Sequence, residues 1–241
     1  STQHWTLFPY TTLFRSATDA LLERGAQVIA VDAADPDTHA ALGERARILD
    51  ILGADLRFGE AHVTSLPEEE LDLVVTSPGW PPHQPLLAAA AARGIPIWGE
   101  VELAWRLRPA EGAAPWLGIT GTNGKTTTTE LTGAILRRAG RAVAVGGNVG
   151  HALAAMPGGI PPEAVVVAEL SSFQLEHIER FRPAVAVLLN LAEDHIDRHG
   201  TYRAYVDAKL RVFENQTGED VALLCADDRG ILDEAAAGRL T

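Results

Sequence analysis

The sequence has 241 residues, 46% hydrophobic and 22% charged, which is typical of a globular protein with room for two α/β domains. Its formal net charge of −12 argues against a nucleic-acid partner, because binding a phosphate backbone needs a basic face. No stretch approaches the roughly 18 consecutive apolar residues of a membrane helix, so we expect no membrane partner and a cytoplasmic location. The single cysteine, Cys225 in "DVALLCADD", excludes a disulfide framework and is expected to be buried.

The first sixteen residues, "STQHWTLFPYTTLFRS", differ in composition from the rest of the chain. They include four aromatic residues and no acidic residue, and the next segment, "ATDALLERGAQVIAVD", starts in the middle of an α/β unit. A dinucleotide-type fold would place a strand and a glycine-rich turn before that helix, and neither is visible. We therefore favour a leader foreign to the fold for residues 1–16 over a divergent first strand.

Alternating strand-like and helix-like segments come next, as in parallel α/β layers. In the first half, "QVIAVD" (27–32), "DLVVTS" (72–77) and "IPIW" (95–98) predict buried strands, and "QPLLAAAAARG" predicts a helix that ends at Gly94. A linker, "RPAEGAAP" (108–115), precedes a second series. Its five predicted strands are "WLGIT", "RAVAVG", "AVVVAEL", "AVAVLLN" and "DVALLCA".

This order of elements predicts an α/β fold with two parallel-sheet domains. We place the boundary near residue 110, with an N-terminal Rossmann-like domain over residues 17–110 and a P-loop ATPase domain over residues 111–241. The second series stops within what resembles a new helix. We therefore expect the second domain to be truncated at its C-terminal end.

The stretch 117–130, "LGITGTNGKTTTTE", has the pattern of a phosphate-binding loop. A strand, a glycine-rich turn and a helix succeed one another, so backbone N–H groups and the helix N-terminus would converge on one anion. Lys125 would neutralise the β- and γ-phosphates, and the Thr126 hydroxyl would bind Mg²⁺. The spacing departs from G-x-x-x-x-G-K-[ST], because Ile119 stands where the first glycine belongs. The predicted ATP-binding residues are Gly121, Thr122, Asn123, Gly124, Lys125, Thr126 and Thr127.

Polar residues also follow other strands of the second series. Glu169 ends "VVVAE", and a carboxylate at this edge of an α/β sheet is costly unless it meets a cation, here Mg²⁺. Asp194 and His195 follow the next strand, at the same edge. In "GGNVG" (146–150), Asn148 is either a left-handed turn residue or a ligand-facing residue.

Together these motifs resemble the central domain of the Mur ligases. The motifs, in order, are "GTNGKTTT", "GGNVG", "ELSSFQL", the Asn190–His195 pattern and "AKLRVFEN" (208–215). The resemblance covers residues 17–241 and is strongest over 117–228. Within the family, the "ELSSFQL" wording is similar to the branch that adds D-glutamate to UDP-N-acetylmuramoyl-L-alanine in peptidoglycan precursor synthesis.

The resemblance implies an ATP-dependent amide ligase that uses Mg²⁺, with two ions expected. ATP would convert the L-alanine carboxylate into an acyl phosphate, and the D-glutamate amine would then displace phosphate. Thr126 and Glu169 would bind one ion, and His195 would help hold the second. The family's lysine that matches Lys209 is carbamylated and supports the second ion, whereas the residues alone favour a solvated helix lysine. The implied catalytic residues are Lys125, Glu169, His195 and Lys209.

The resemblance assigns the UDP end of the substrate to the N-terminal half. Asp32 matches an acidic strand end that addresses the nucleotide, Ser77 and Gly79 of "TSPG" match a turn of the same crevice, and Asn148 is a further candidate. Turn chemistry alone is the alternative for these positions. The glycine-rich turn that should hold the diphosphate is missing, and so is the family's closing C-terminal domain. We therefore expect a fragment without ligase activity of its own.

Other interpretations stay open. A sister ligase, such as the folylpolyglutamate type, would share the phosphate loop but not the "SSFQL" wording. A P-loop kinase would usually open with its phosphate loop, whereas here the loop follows an entire α/β domain. A nucleotide-binding module without catalysis would bind ATP and show no substrate-dependent turnover.

Overall fold

Two parallel sheets of five strands each are present in the computed structural model, which describes residues 4–7, 12–38, 40–81, 83–156 and 159–240. Every strand pairing within these residues is parallel. The predicted α/β class is thus confirmed.

The first sheet has the order β3-β2-β1-β4-β5. The strands β2 and β4 are apolar and buried along almost their whole length, as expected where helices cover both faces. The helix α4 begins with proline and is followed by Gly94 at φ 69°, which confirms the predicted helix end. The elements are β1 (His4–Leu7), α1 (Thr12–Leu22), β2 (Gln27–Asp32), α2 (Ala40–Ile51), β3 (Asp55–Phe58), α3 (Glu60–Thr64), β4 (Leu73–Thr76), α4 (Pro85–Ala92), β5 (Ile97–Gly99) and α5 (Glu100–Leu107).

The start of the chain differs from the sequence-based expectation. We predicted no strand before the first helix, but β1 is the central strand of the first sheet and pairs with both β2 and β4. Helix α1 also begins within the first sixteen residues, at Thr12. The position of the missing glycine-rich turn, residues 8–11, lies outside the described residues. Whether residues 1–16 are foreign to the fold stays a prediction.

The second sheet has the order β10-β9-β6-β8-β7 and contains all five strands that the sequence predicts. Strand order reverses on either side of β6, so the carboxyl end of β6 lies at a switch point of the sheet. The elements are β6 (Trp116–Thr120), α6 (Lys125–Arg138), β7 (Val143–Gly147), a 3₁₀ turn (Leu153–Ala155), β8 (Val165–Glu169), α7 (Ser172–Leu175), β9 (Val185–Leu188), α8 (Ile196–His199), α9 (Tyr202–Leu210), a second 3₁₀ turn (Arg211–Phe213), β10 (Val221–Leu224) and α10 (Arg229–Ala236).

The prediction that Cys225 is buried was wrong. It follows the edge strand β10, all of whose residues are exposed, and the cysteine itself is exposed. An apolar run predicts a strand but does not tell whether another element covers it.

The helices in the described part of the chain are all too short or too polar to span a bilayer.

Helix α5 joins the two sheets through two buried carboxylates. Glu102 accepts hydrogen bonds from the backbone N–H groups of residues 179–181 at 2.8–3.0 Å and also pairs with Arg106. Glu100 accepts a 2.6 Å bond from the backbone of Ala154, in the 3₁₀ turn after β7. Both segments belong to the second half of the chain, so α5 fixes their position relative to the first sheet.

Glu100→Gln is expected to change how stability depends on pH. Burial raises the pKa of Glu100 to about 7, against hydrogen bonds from the backbone of Leu153 and Ala154 that lower it. The stabilisation that the protonated Glu100 carboxyl gives the folded state is fully present below pH 4.5, the pKa of this group in the unfolded chain. It is lost as the pH rises through about 7, the pKa in the folded state. A neutral glutamine avoids that loss, so the variant should be more stable than wild type at pH 8 by up to about 3 kcal/mol.

Urea unfolding at pH 5 and pH 8 measures this difference, which should shrink toward pH 5. Glu111→Gln, at an exposed position of the linker, is the matched control and should show no pH-dependent difference. An equal effect of Glu100→Gln at both pH values would contradict the prediction.

Candidate nucleotide and metal site

The chain turns sharply where β6 leads into α6. Gly124 stands directly before the helix at φ 81°, a left-handed conformation that glycine adopts without a steric cost. The side chains of Asn123, Thr126 and Thr127 around it are exposed. The N-terminus of α6 therefore faces solvent at the carboxyl edge of the sheet, where backbone N–H groups can bind an anion.

The loop is held in shape by Asn190, which lies just after the neighbouring strand β9. The Asn190 side-chain oxygen accepts hydrogen bonds from the backbone N–H groups of Thr122 and Asn123 at 3.1 and 2.8 Å, and its amide donates to the Asn123 carbonyl at 3.0 Å. The Thr122 hydroxyl lies 2.9 Å from the hydroxyl of buried Tyr205. Thr122, which we predicted to bind ATP, thus has its side chain turned into the protein.

Both lysines of the chain, Lys125 and Lys209, meet at one carbonyl oxygen of this loop. Lys125 Nζ donates to the carbonyls of Gly121 and Thr122 at 3.0 and 2.8 Å, and Lys209 Nζ donates to Gly121 at 2.7 Å. Lys209 is 2% exposed, which overturns the solvated-helix interpretation. Burial and then the charge of Lys125 lower the pKa of Lys209 to about 7, while Asp194 acts in the opposite direction.

Glu169 lies beside the loop in the adjacent strand. It is in register with Ile119, two residues before Gly121, and is 1% exposed. Its Oε1 accepts a 2.9 Å bond from the Asn148 side chain, and its backbone carbonyl accepts one from the Asn148 N–H. Gly147 makes this approach possible, because a Cβ there would come within 2.2 Å of the Glu169 carbonyl oxygen.

The second carboxylate oxygen of Glu169, Oε2, is buried and has no hydrogen-bond partner among the described residues. A buried anionic oxygen without a partner is costly, and a divalent cation would relieve that cost. Within the described parts of the chain, no three His, Cys, Asp or Glu side chains form a ready-made metal site. The single buried Glu169 carboxylate fits Mg²⁺, which commonly takes one or two carboxylates and completes its shell with phosphate oxygens and water.

His195 lies at the same edge, directly before α8. Its backbone is left-handed, at φ 51°, and its N–H is held by the Asp194 carboxylate at 2.9 Å. The ring is half exposed and packs 4.8 Å from the Phe173 ring, centre to centre. Tyr205 lies between the two predicted metal-supporting groups, with its ring 6.4 Å from that of His195 and 4.7 Å from Lys209 Nζ.

The candidate residues of the first sheet lie at its carboxyl edge. Asp32 ends β2, is 3% exposed and accepts a 2.8 Å bond from the Ala34 N–H. Ser77 follows β4, and its hydroxyl accepts a bond from the Gly79 N–H. These two strands flank β1, where the strand order reverses, so the residues border the crevice in which open α/β sheets bind ligands. Asn148, by contrast, contacts Glu169 in the second half.

These features define a class of protein: parallel α/β proteins with a glycine-rich turn and a lysine at the N-terminus of the following helix. Residues 119–239 match the Mur ligase middle domain. The chain therefore belongs to the Mur ligase family, which confirms the resemblance seen in the sequence.

Several curated relatives share one name, UDP-N-acetylmuramoylalanine–D-glutamate ligase. The one from Trichlorobacter lovleyi is 45% identical over 208 residues, 86% of this chain and 45% of the relative. The one from Geotalea uraniireducens is 49% identical over 225 residues, 91% of this chain and 46% of the relative. The chain thus spans about half the length of the curated relatives it matches.

Solved structures share the fold at low identity. The UDP-N-acetylmuramate:L-alanyl-gamma-D-glutamyl-meso-diaminopimelate ligase from Neisseria meningitides superposes with a TM-score of 0.62 at 18% identity, over all of this chain and 76% of that protein. A murein peptide ligase from Psychrobacter arcticus gives a TM-score of 0.53 at 17% identity, over 98% of this chain and 52% of that protein. At this identity the likeness establishes the fold.

Sequence reasoning missed the side chains that hold the site together. Asn190 was part of a motif, but its hydrogen bonds to the loop backbone were not predicted. Tyr205 was not considered. Arg198 was also missed: its guanidinium bonds to Gly79 and Trp80 of the first half and to Glu176 of the second. The available signal was position, since each of these residues lies in or near a motif at the carboxyl edge of the second sheet.

Proposed function

We propose that this chain carries the UDP-substrate and ATP-binding parts of a ligase that joins D-glutamate to UDP-N-acetylmuramoyl-L-alanine in peptidoglycan precursor synthesis, in the cytoplasm. A Rossmann-like domain extending to about residue 110 would bind the UDP end, and a P-loop domain from there to 241 would bind ATP. The names of relatives that are 45–49% identical support the substrate assignment.

The observation that carries the proposal is the set of charges at the carboxyl edge of the second sheet. Two lysines share the Gly121 carbonyl, and the buried carboxylate of Glu169 stands in the next strand. A polyphosphate at the N-terminus of α6 would meet Lys125, while Glu169 would face a cation. Amide synthesis from a free carboxylate needs such a site, because ATP must first supply a leaving group.

The reaction then consists of two displacements. The substrate carboxylate oxygen attacks the γ-phosphorus, ADP leaves, and an acyl phosphate forms. The D-glutamate amine attacks the acyl carbon, loses a proton, and phosphate leaves as the amide bond forms. Lys125 and the backbone N–H groups at the N-terminus of α6 would hold and neutralise the transferring phosphoryl group, since the N–H groups of Thr122 and Asn123 already donate to Asn190.

Mg²⁺ fits the donor groups present. Thr126, with its exposed side chain at the start of α6, and Glu169 would hold one ion, and His195 with carbamylated Lys209 would support a second. Bound Mg²⁺ neutralises charge on the phosphates. In the first half, Asp32, Ser77 and Gly79 would contact the UDP moiety. Asn148, which is hydrogen-bonded to Glu169 in the second half, would contact the same substrate.

Carbamylation of Lys209 is expected because its amine is buried and its pKa is lowered to about 7, so the reactive neutral form predominates at pH 8. With ¹³C-labelled bicarbonate, Lys125→Arg should keep a lysine carbamate NMR signal, and Lys209→Arg should lose it. The two variants are matched, because each leaves a single lysine in the chain. In the intact protein, short carboxylic acids should partly restore the activity of Lys209→Ala. If Lys125→Arg loses the carbamate signal and Lys209→Arg keeps it, the assignment of the carbamate to Lys209 is contradicted.

Two measurements test the proposed function. The first is calorimetric titration of the chain with UDP-N-acetylmuramoyl-L-alanine and with Mg-ATP. The second is the release of phosphate from ATP by the full-length protein when D-glutamate is added. Binding of both ligands together with D-glutamate-dependent turnover is the expected result. Turnover with another amino acid would favour a sister ligase. ATP binding without any substrate-dependent turnover would favour a silent nucleotide-binding module.

A further inference from the structure

We propose that Arg198 is a positioning residue that ties the substrate turn, defined as residues 77–80, to the edge of the second sheet that holds the phosphate loop. The inference rests on the proposed function for its substrate. It adds a specific role for a side chain that is neither a predicted metal ligand nor a predicted phosphate contact.

The guanidinium of Arg198 bridges the two halves of the chain. It donates to the carbonyl oxygens of Gly79 and Trp80 at 3.2 and 2.6 Å, and to the Glu176 carboxylate at 2.7 Å. The side chains of Arg198 and Glu176 are only 10% and 12% exposed, so solvent screens these charge-assisted bonds weakly. The guanidinium also lies 4.7 Å from the centre of the Phe173 ring.

Glu176 is itself fixed in the second half. His199 Nδ1 lies 3.3 Å from its carboxylate, and His199 Nε2 lies 3.0 Å from the Ser172 hydroxyl. Burial raises the pKa of Glu176, against the opposing effects of Arg198 and Arg211. The arginine on α8 is thus anchored to Glu176, which directly follows α7, and its Nη1 and Nη2 atoms also donate to the first half.

The position of Arg198 relates the two ends of the site. It lies one helical turn after His195, whose carbonyl accepts the Arg198 N–H at 3.1 Å. The short segment 195–198 therefore carries both His195, at the proposed metal edge, and the contact to the substrate turn. A UDP-linked substrate held by residues 77–80 would have its acyl end placed relative to the phosphate loop through this link.

Three acceptors around one planar group make the position specific for arginine. Lysine keeps the charge but cannot offer a fork of coplanar donors, and methionine keeps much of the length without charge. We expect Arg198→Met to bind UDP-N-acetylmuramoyl-L-alanine about tenfold more weakly, Arg198→Lys to be intermediate, and Mg-ATP affinity to change by less than about threefold. Arg203→Met, which removes an exposed arginine paired with Asp207 on α9, is the matched control.

A double-mutant cycle with Ser77→Ala separates positioning from general destabilisation. If Arg198 acts through the turn, the loss from Ser77→Ala should be much smaller in the Arg198→Met background than in wild type. Hydrogen exchange at the Gly79 and Trp80 amides, measured without ligand, should quicken by about tenfold or more in Arg198→Met, while amides of α6 stay unchanged.

Unchanged exchange at Gly79 and Trp80, additive effects in the cycle, or equal losses of UDP-ligand and ATP affinity would each overturn the inference. The proposed function fails differently: the wild-type chain would then not bind UDP-N-acetylmuramoyl-L-alanine at all. A wild-type chain that binds this ligand, with Arg198→Met binding it equally well, contradicts the role of Arg198 alone.

Discussion

Lys125→Ala is expected to weaken Mg-ATP binding by about 100-fold or more, which corresponds to about 2.7 kcal/mol. The ammonium is the cation at the start of α6, and contacts between an ammonium and phosphate oxygens are among the stronger hydrogen bonds in proteins. Isothermal titration with Mg-ATP measures the change. The fold should persist, because Asn190 and Tyr205 hold the loop independently of this lysine.

Lys125 is not the only lysine whose ammonium reaches the loop. Lys209 Nζ reaches the same Gly121 carbonyl, and Lys125 contributes to lowering its pKa. Removing Lys125 should therefore raise the pKa of the free Lys209 amine, and in chains in which Lys209 is not carbamylated its ammonium would limit the loss of affinity. Arg138→Ala, at the exposed end of α6, is the control for the loss of a charge from this helix. An affinity within about threefold of wild type in Lys125→Ala would contradict the phosphate-loop assignment.

Much of the fold could be predicted because buried parallel strands are continuous apolar runs. "VVVAE" and "WLGIT" are such runs, and their order with helices between them already predicts a parallel sheet. The strand β3, "DLRF", was missed because it lies at an edge and carries two charges in four residues. The strand β1 was missed because only its pairing with two neighbours distinguishes it from an irregular segment.

The candidate site was predictable where chemistry and local sequence coincide, as in Lys125 within its glycine turn and Glu169 at a strand end. Contacts between distant segments were not predictable. Asn190 is hydrogen-bonded to a loop residue 67 positions earlier in the sequence, and Arg198 donates to a carbonyl 118 positions earlier. Lys209 looked solvated because helix periodicity does not reveal that its side chain reaches the Gly121 carbonyl. Such pairs depend on how the sheets and helices pack, which no single segment encodes.

Under the proposed function, Glu169→Gln is expected to lower the ligase activity of the full-length protein by about a thousandfold or more while leaving the fold at least as stable. Glutamine keeps the shape, and its oxygen can still accept the bond from Asn148. The negative charge is lost at the oxygen that has no partner among the described residues and that we assign to Mg²⁺. Loss of a metal-binding charge removes much of the electrostatic stabilisation of the transferring phosphoryl group.

The same substitution should act on stability in the opposite direction, and this distinguishes a metal ligand from a structural carboxylate. Without Mg²⁺, wild type bears the cost of burying a charge that a single side-chain hydrogen bond compensates. The Glu169→Gln melting temperature in metal-free buffer should therefore equal or exceed that of wild type. Adding Mg²⁺ and ATP should stabilise wild type much more than the variant. Glu163→Gln, exposed just before β8, should change neither activity nor melting temperature. If Glu169→Gln melts several degrees lower without metal and loses tenfold or less in activity, Glu169 is structural and the metal assignment fails.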